Sequence, residues 1–248
     1  MTDETLTSRS DRAVTSAARR RRSTLLFLRD LLVIFVVAVL VSFLIKTFLI
    51  RSFFIPSQSM EQTLVQDDRI IVNQLVPELT PIEHGDVVVF KDPGGWLPAR
   101  VETPQPPLVA AVDWFLAFVG LSAPDSNDHL VKRVIGLPGD HVVCCNALGQ
   151  MSVNGVPLDE PYVVLPPGET KVSRDDFETV VPDDSLWVMG DNRYNSKDSR
   201  YNGETPLEGF VPIENVVGRA FVVSWPVSNW AWLGNYPDVF EGVDEGAG

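Results

Sequence analysis

Hydrophobic and polar positions fall into two regimes along the chain. From Thr24 to Ile50 the sequence reads TLLFLRDLLVIFVVAVLVSFLIKTFLI, nearly all of it apolar; after Ser52 it breaks into short alternating runs separated by Gly, Pro, Asn and Asp. The first regime predicts a helix that is apolar on every side, and the second predicts many short strands. Candidate strands are Arg69 to Leu75, Asp86 to Lys91, Leu130 to Gly136, His141 to Cys145, Ser185 to Gly190 and Val216 to Trp225. In MSVNGVPL (Met151 to Leu158) an Asn-Gly pair between apolar segments predicts a tight hairpin.

The uncharged block from Leu31 to Ile45 makes only ~22 Å of helix, short of a ~30 Å hydrocarbon core, so the span must extend at one end. A transmembrane helix of roughly Leu28 to Ile50, inside an anchor segment 24–50, is expected, with Lys46 snorkelling to the interface. A cleaved signal peptide also has a basic stretch before an apolar core. However, the first small-x-small pair after Ile45 is the distant Ser57-Gln58-Ser59, so an uncleaved anchor is expected. The Arg19 to Arg22 cluster lies immediately before the apolar run. By the positive-inside rule it places residues 1–23 in the cytoplasm as a basic tail, and 51–248 outside it, anchored to the cytoplasmic membrane.

Two stretches of the external part differ from the rest. Residues 94–127 form an insertion that starts with Gly and Pro and then runs PLVAAVDWFLAFVGL (Pro107 to Leu121), which predicts a small helix that is either buried or dips into the lipid interface. The segment after Trp225 carries Trp230, Trp232 and Tyr236, residues that favour the headgroup region. It ends in an acidic, Gly-rich tail, 238–248, expected to be disordered.

Charge narrows the possible partners. From Ser52 onward there are 11 Lys or Arg against 29 Asp or Glu. So acidic a body argues against nucleic acid as a partner. Cys144 and Cys145 are adjacent and the three histidines are scattered, so no metal site and no cofactor is expected.

A serine hydrolase needs an exposed hydroxyl, a base within hydrogen-bond reach, and donors for the developing oxyanion. In IPSQSMEQTL (Ile55 to Leu64) two serines follow Pro56 among apolar neighbours, and either they are turn residues or one is a nucleophile. His84 and His141 sit at loop ends and are poor candidates for the base. In HLVKRVIGLPGD (His129 to Asp140), a strand would put Leu130, Lys132 and Val134 on one face and Val131, Arg133 and Ile135 on the other. A lysine buried on such a face loses the hydration of its charged form and can serve as a neutral base; an edge lysine keeps its head in water. The run MGDNRYNSKDSR (Met189 to Arg200) is either a solvated loop or a self-bonded support for other groups.

Taken in order, IPSQSMEQTL, HGDVVVFKDP (His84 to Pro93), VKRVIGLPGD and GDNRYNSKDSR resemble the blocks of the bacterial type I signal peptidases, membrane-anchored Ser-Lys proteases. Each block is weakly specific; four in order behind an N-terminal anchor are strongly so. The resemblance implies a mostly β fold, with one N-terminal transmembrane helix followed by a β-rich, barrel-like catalytic domain. It implies Ser59 as nucleophile, Lys132 as general base, Ser57 and the Ser59 amide at the oxyanion, Ser196 orienting the Lys132 amine, and Asp198 and Arg200 bracing that loop. The substrate cleft would be Phe53, Ile55, Pro56, Met60, Leu64 and Val131, suited to small residues at −1 and −3. Gln58 departs from a glycine found in some relatives, and the insertion and the cysteine pair have no assigned counterpart.

The implied activity is an endopeptidase that removes signal peptides from exported preproteins. Its partners would be those signal peptides, membrane lipid and the secretion machinery. Nine residues separate Ile50 from Ser59, a reach of at most about 30 Å, so the site is expected near the membrane surface. Two other readings share some of these features. A self-cleaving repressor of the DNA-damage response would carry a DNA-binding helical domain in place of the apolar helix. A non-catalytic anchored protein that binds exported chains would have no use for Ser59, Lys132 and Ser196 together.

Overall fold

The computed structural model describes residues 26–45, 48–98 and 128–244, together with Pro106 and Val109. Two units divide the chain, Met1–Thr47 and Phe48–Gly248. In the first, helix α1 (Leu26–Ile45) is exposed along its whole length and apolar enough to cross a membrane. Its 20 residues rise about 30 Å, so the length missing from the uncharged block is found at the N-terminal end. That end includes Arg29 and Asp30, whose side chains bond each other at 3.0 and 2.8 Å, a pairing that lowers the cost of charge near lipid. The expected extension to Ile50 is not part of α1, because Ile50 opens the first strand; residues 46–47 lie outside the described set.

The second unit is built from β1 (Ile50–Phe54), β2 (Arg69–Asn73), β3 (Val87–Lys91), β4 (His129–Gly136), β5 (His141–Cys144), β6 (Met151–Val153), β7 (Val156–Pro157), β8 (Phe177–Val180), β9 (Ser185–Met189), β10 (Val211–Pro212), β11 (Val216–Trp225) and β12 (Ala231–Trp232). All their pairings are antiparallel. The main sheet runs β1-β2-β11-β3-β4-β9-β10, with β12 on β11, and a smaller sheet runs β7-β6-β5-β8. Among the described residues nothing joins β1 to β10, so the domain is mostly antiparallel β but the sheet is open, where a barrel-like closure was expected.

Every strand anticipated from the short apolar runs is present, and β11 has the expected bounds. The Asn-Gly hairpin is present too: Asn154 and Gly155, at φ 52° and 82°, turn β6 into β7, a conformation that suits these two residues. β1 was hidden because Ile50 closes the long apolar run and the Arg51-Ser52-Phe53-Phe54 that follow it do not alternate. In β3, Val87 and Val89 face a core with Phe53, Ile55, Met60, Leu64, Ile70 and Val72, while Val88 and Phe90 face another with Val134, Leu186 and Val188. Burial on both faces explains why VVVF is continuous rather than alternating.

The expected insertion helix falls on residues 99–127, which apart from Pro106 and Val109 lie outside the described set. The tail differs from expectation. Pro237–Phe240 forms a 3-10 turn, and Phe240 and Val243 are buried in the core that contains Ile135 and Trp187, so apolar burial orders the chain past residue 238. Residues 245–248 lie outside the described set. Cys144 and Cys145 are joined to each other as a disulfide at the end of β5.

Candidate active site

Ser59 stands on a tight turn that β1 leads into. Ile55 still pairs with the loop before β2, its amide donating to Asp68 O and its carbonyl accepting from Asp67, each at 2.9 Å. Pro56 has no amide hydrogen and the strand stops there. The Met60 carbonyl then accepts from Leu64 at 2.8 Å and from Thr63 at 3.0 Å, closing one helical turn. Met60 and Leu64 are fully buried, so the turn is pinned from below while Ser59 is held at its rim.

Lys132 lies on β4, opposite Val88 of β3. It is 3 % exposed, and its Nζ is hydrogen-bonded to Ser59 Oγ at 2.6 Å and to Val131 O at 3.1 Å. Burial removes hydration from the ammonium and lowers its pKa to about 8, against the opposing pull of Asp198 and Asp191. Of the two readings of this lysine, the structure has the buried one. At pH 7 a pKa near 8 leaves about one amine in ten neutral, against roughly three in ten thousand for an ordinary lysine.

The third element is the loop after β9, and Gly190 is where it meets the nucleophile turn. A Cβ there would collide with the Ser196 side chain and the Ser59 carbonyl, so only glycine lets the loop and the nucleophile turn come so close. Gly190 N donates to Asp198 Oδ2 at 2.9 Å, and Asp198 accepts two further bonds from the Arg200 guanidinium, each at 2.8 Å. Burial alone would raise the Asp198 carboxyl, but the bonds and charge of Arg200 with the Gly190 amide hold it below its ordinary value. Ser196 Oγ is buried beside Asp198, close enough to favour its charged form, without a well-aligned bond to any partner among the described residues. No bond from Ser196 to Lys132 is present among the described residues.

A further network was not read from sequence. Arg133, on the opposite face of β4 from Lys132, makes a bidentate pair with Asp191 at 2.8 and 2.7 Å, both side chains at 0 % exposure. Thr63 of the nucleophile turn donates to Asp191 Oδ2 at 2.5 Å, and the Arg133 guanidinium also reaches Gly85 O at 2.6 Å. The Tyr162 ring stacks 4.0 Å from it. Asn192 completes the lock, its amide donating to Ser59 O and its side chain to Gln58 O, each at 3.1 Å. The pattern had marked Arg133 as a cation among apolar neighbours; its partner, 58 positions away, left no local signal.

Ser57 is exposed, with Oγ 3.2 Å from Ser59 Oγ. Phe53, Ile55, Pro56, Met60 and Val131, with Leu130 and His129, line a mostly apolar cleft of about 90 Å³ that ends at Ser59 and Lys132. Leu64, the remaining residue expected there, is fully buried in the core beneath Met60 and does not line it. Among the described residues the β4 edge along this cleft is open, since β9 pairs β4 only from Arg133 onward and His129 to Lys132 pair with β3 alone.

Residues 28–225 match the family described as Signal peptidase, peptidase S26. Among similar proteins is a signal peptidase I of Mycobacterium tuberculosis, 39 % identical over 229 residues, covering 85 % of this chain and 76 % of its own. A probable signal peptidase I of Mycobacterium leprae is 40 % identical over 224 residues, covering 81 % and 77 %. A probable signal peptidase I-2 of a Synechocystis species is 38 % identical over 192 residues, covering 77 % and 71 %.

Proposed function

As this chain belongs to the signal peptidase I family, peptidase S26, and its activity is the removal of signal peptides from preproteins, we propose that cleavage runs through Ser59 as nucleophile and Lys132 as general base. The observation that carries this is the 2.6 Å bond between a buried lysine amine and a serine hydroxyl held at the end of an apolar cleft. Neutral Lys132 takes the Ser59 proton as Oγ attacks the scissile carbonyl, and the mature chain leaves as an amine that receives that proton. Water, deprotonated by Lys132 in its turn, then releases the signal peptide from the Ser59 ester. Ser57 Oγ, exposed and beside the nucleophile, and the Ser59 amide stabilise the oxyanion. Ser196, Asp198 and Arg200 fix the surroundings of the amine from the loop after β9.

The signal peptide lies along the open edge of β4 as an added strand, its main chain bonded there and its −1 and −3 side chains in the cleft. So narrow an apolar cleft suits small side chains. Helix α1 anchors the chain in the cytoplasmic membrane with the N-terminal basic tail inside and residues 51–248 outside. Trp225, Trp230 and Trp232, all more than half exposed, suit contact of the domain with lipid headgroups. The test uses the full-length protein in detergent with a labelled preprotein. One cut after a small-x-small pair, lost in Ser59→Ala and in Lys132→Ala, is expected; cleavage at near wild-type rate by either variant would overturn the assignment.

A further inference from the structure

The apolar cleft is not the only depression at Ser59. A larger groove of about 730 Å³ shares Pro56, Ser57, Ser59, Leu97, Leu130 and Lys132 with it and continues past the dyad to Gln66, Arg174, Tyr194, Asn195, Lys197 and Tyr201. An extended substrate must run both ways from the scissile bond. With the apolar cleft taking residues on the signal-peptide side, this second limb is left for the mature chain.

Its lining charge is of one sign. Among the described residues Arg174, Lys197 and Lys132 border it and no Asp or Glu does, in a part of the chain where acids outnumber bases 29 to 11. Among the described residues neither Arg174 nor Lys197 has a carboxylate within ion-pair distance. The Arg174 guanidinium instead lies over the Tyr194 ring at 5.1 Å, and Lys197 Nζ is 3.5 Å from Trp96 O. Neutral contacts therefore place both cations without neutralising them. The neighbouring acids have partners of their own and do not line the groove: Asp176 pairs with Lys171 at 2.8 Å, and Glu169 accepts from the hydroxyl of the lining Tyr194 at 3.2 Å. Asp175 follows Arg174 in the chain and does not line the groove.

We propose that this limb binds the first residues of the mature chain and that Arg174 and Lys197 make the enzyme prefer preproteins with Asp or Glu there. The inference rests on the assignment of Ser59 and the apolar cleft given above. Exposed ion pairs are individually weak, so two of them support a preference of about tenfold at most, and one that fades with salt.

The experiment uses the full-length protein in detergent and three preproteins with one signal peptide, carrying Asp, Gln or Lys at the second to fourth mature positions. Wild type is expected to cleave the Asp substrate with kcat/KM about tenfold above the Lys substrate, a ratio that falls towards one at about 0.5 M salt. The double variant Arg174→Glu, Lys197→Glu is expected to invert the order. A merely structural role for the two residues would lower all three rates together and leave the ratio in place. A wild-type ratio near one, or an unchanged preference in the double variant, would overturn the proposal. Loss of Gln-substrate cleavage in Ser59→Ala, measured alongside, keeps the catalytic assignment separate, since that can stand while the charge preference fails.

Discussion

Replacing Lys132 by Met exposes what burial of the amine costs. Met keeps an unbranched apolar chain of similar length and cannot be protonated. In the folded wild type the amine has a pKa of about 8, against 10.5 for the exposed group. Between those values the unfolded chain binds more protons than the native one, so wild-type stability rises with pH across that window. The penalty is complete below about pH 8, where it amounts to about 3 kcal/mol, and is gone above about pH 10.5. The variant has no such penalty. Its lost bonds to Ser59 and Val131 O, about 1 kcal/mol each, displace its stability without adding a slope in pH. The stability difference between variant and wild type should therefore shift by about 2–3 kcal/mol in favour of wild type between pH 7 and pH 10. Urea unfolding of both full-length proteins in detergent, followed by tryptophan fluorescence, measures it. Tyrosine ionisation is common to both and cancels. A difference that stays constant over this range would mean that Lys132 titrates as an ordinary exposed lysine, and the argument for a neutral base would fall.

The same pKa predicts that kcat/KM for preprotein cleavage climbs about tenfold per pH unit below about pH 8 and levels off above it; a flat profile between pH 6 and pH 9 would contradict it. Arg133→Met strands the Asp191 carboxylate at full burial and should destabilise the domain by about 3–5 kcal/mol, read as a fall in the urea midpoint. Gly190→Ala pushes a methyl into Ser196 and the Ser59 carbonyl, so kcat should fall by about 10²-fold, as a displacement of about 1 Å at the dyad would cause, with the signal-peptide KM nearly unchanged. Ser57→Ala removes one oxyanion donor and should lower kcat by about 10²- to 10³-fold without moving the pH midpoint.

How much of this was legible in the chain depended on whether the signal was local. Short apolar runs between turn residues placed β2, β3, β4, β5, β9 and β11, and the Asn-Gly pair placed the β6–β7 turn, because strand and turn chemistry act over a few residues. The resemblance pointed to Ser59 and Lys132, which the fold brings to 2.6 Å across 73 positions, and strand alternation had already set Lys132 and Arg133 on opposite faces. Long-range partners left no such trace. Asp191 as the mate of Arg133, Thr63 bridging to it, and the open rather than closed sheet all depend on which loop returns to which strand. Leu64 was an apolar neighbour of the nucleophile in sequence, but one helical turn carries it into the core. The acidic tail was read from composition, which does not register that Phe240 and Val243 find an apolar site to fill.

The most direct test of the account is to map the covalent intermediate. Full-length enzyme in detergent is mixed with a single equivalent of preprotein, quenched with acid as the mature product appears, digested, and its peptides weighed. The signal-peptide fragment is expected as an ester on Ser59 in the peptide that contains Met60, absent when Lys132 is Met. The same fragment carried by Ser57, Ser196 or any other side chain would contradict it.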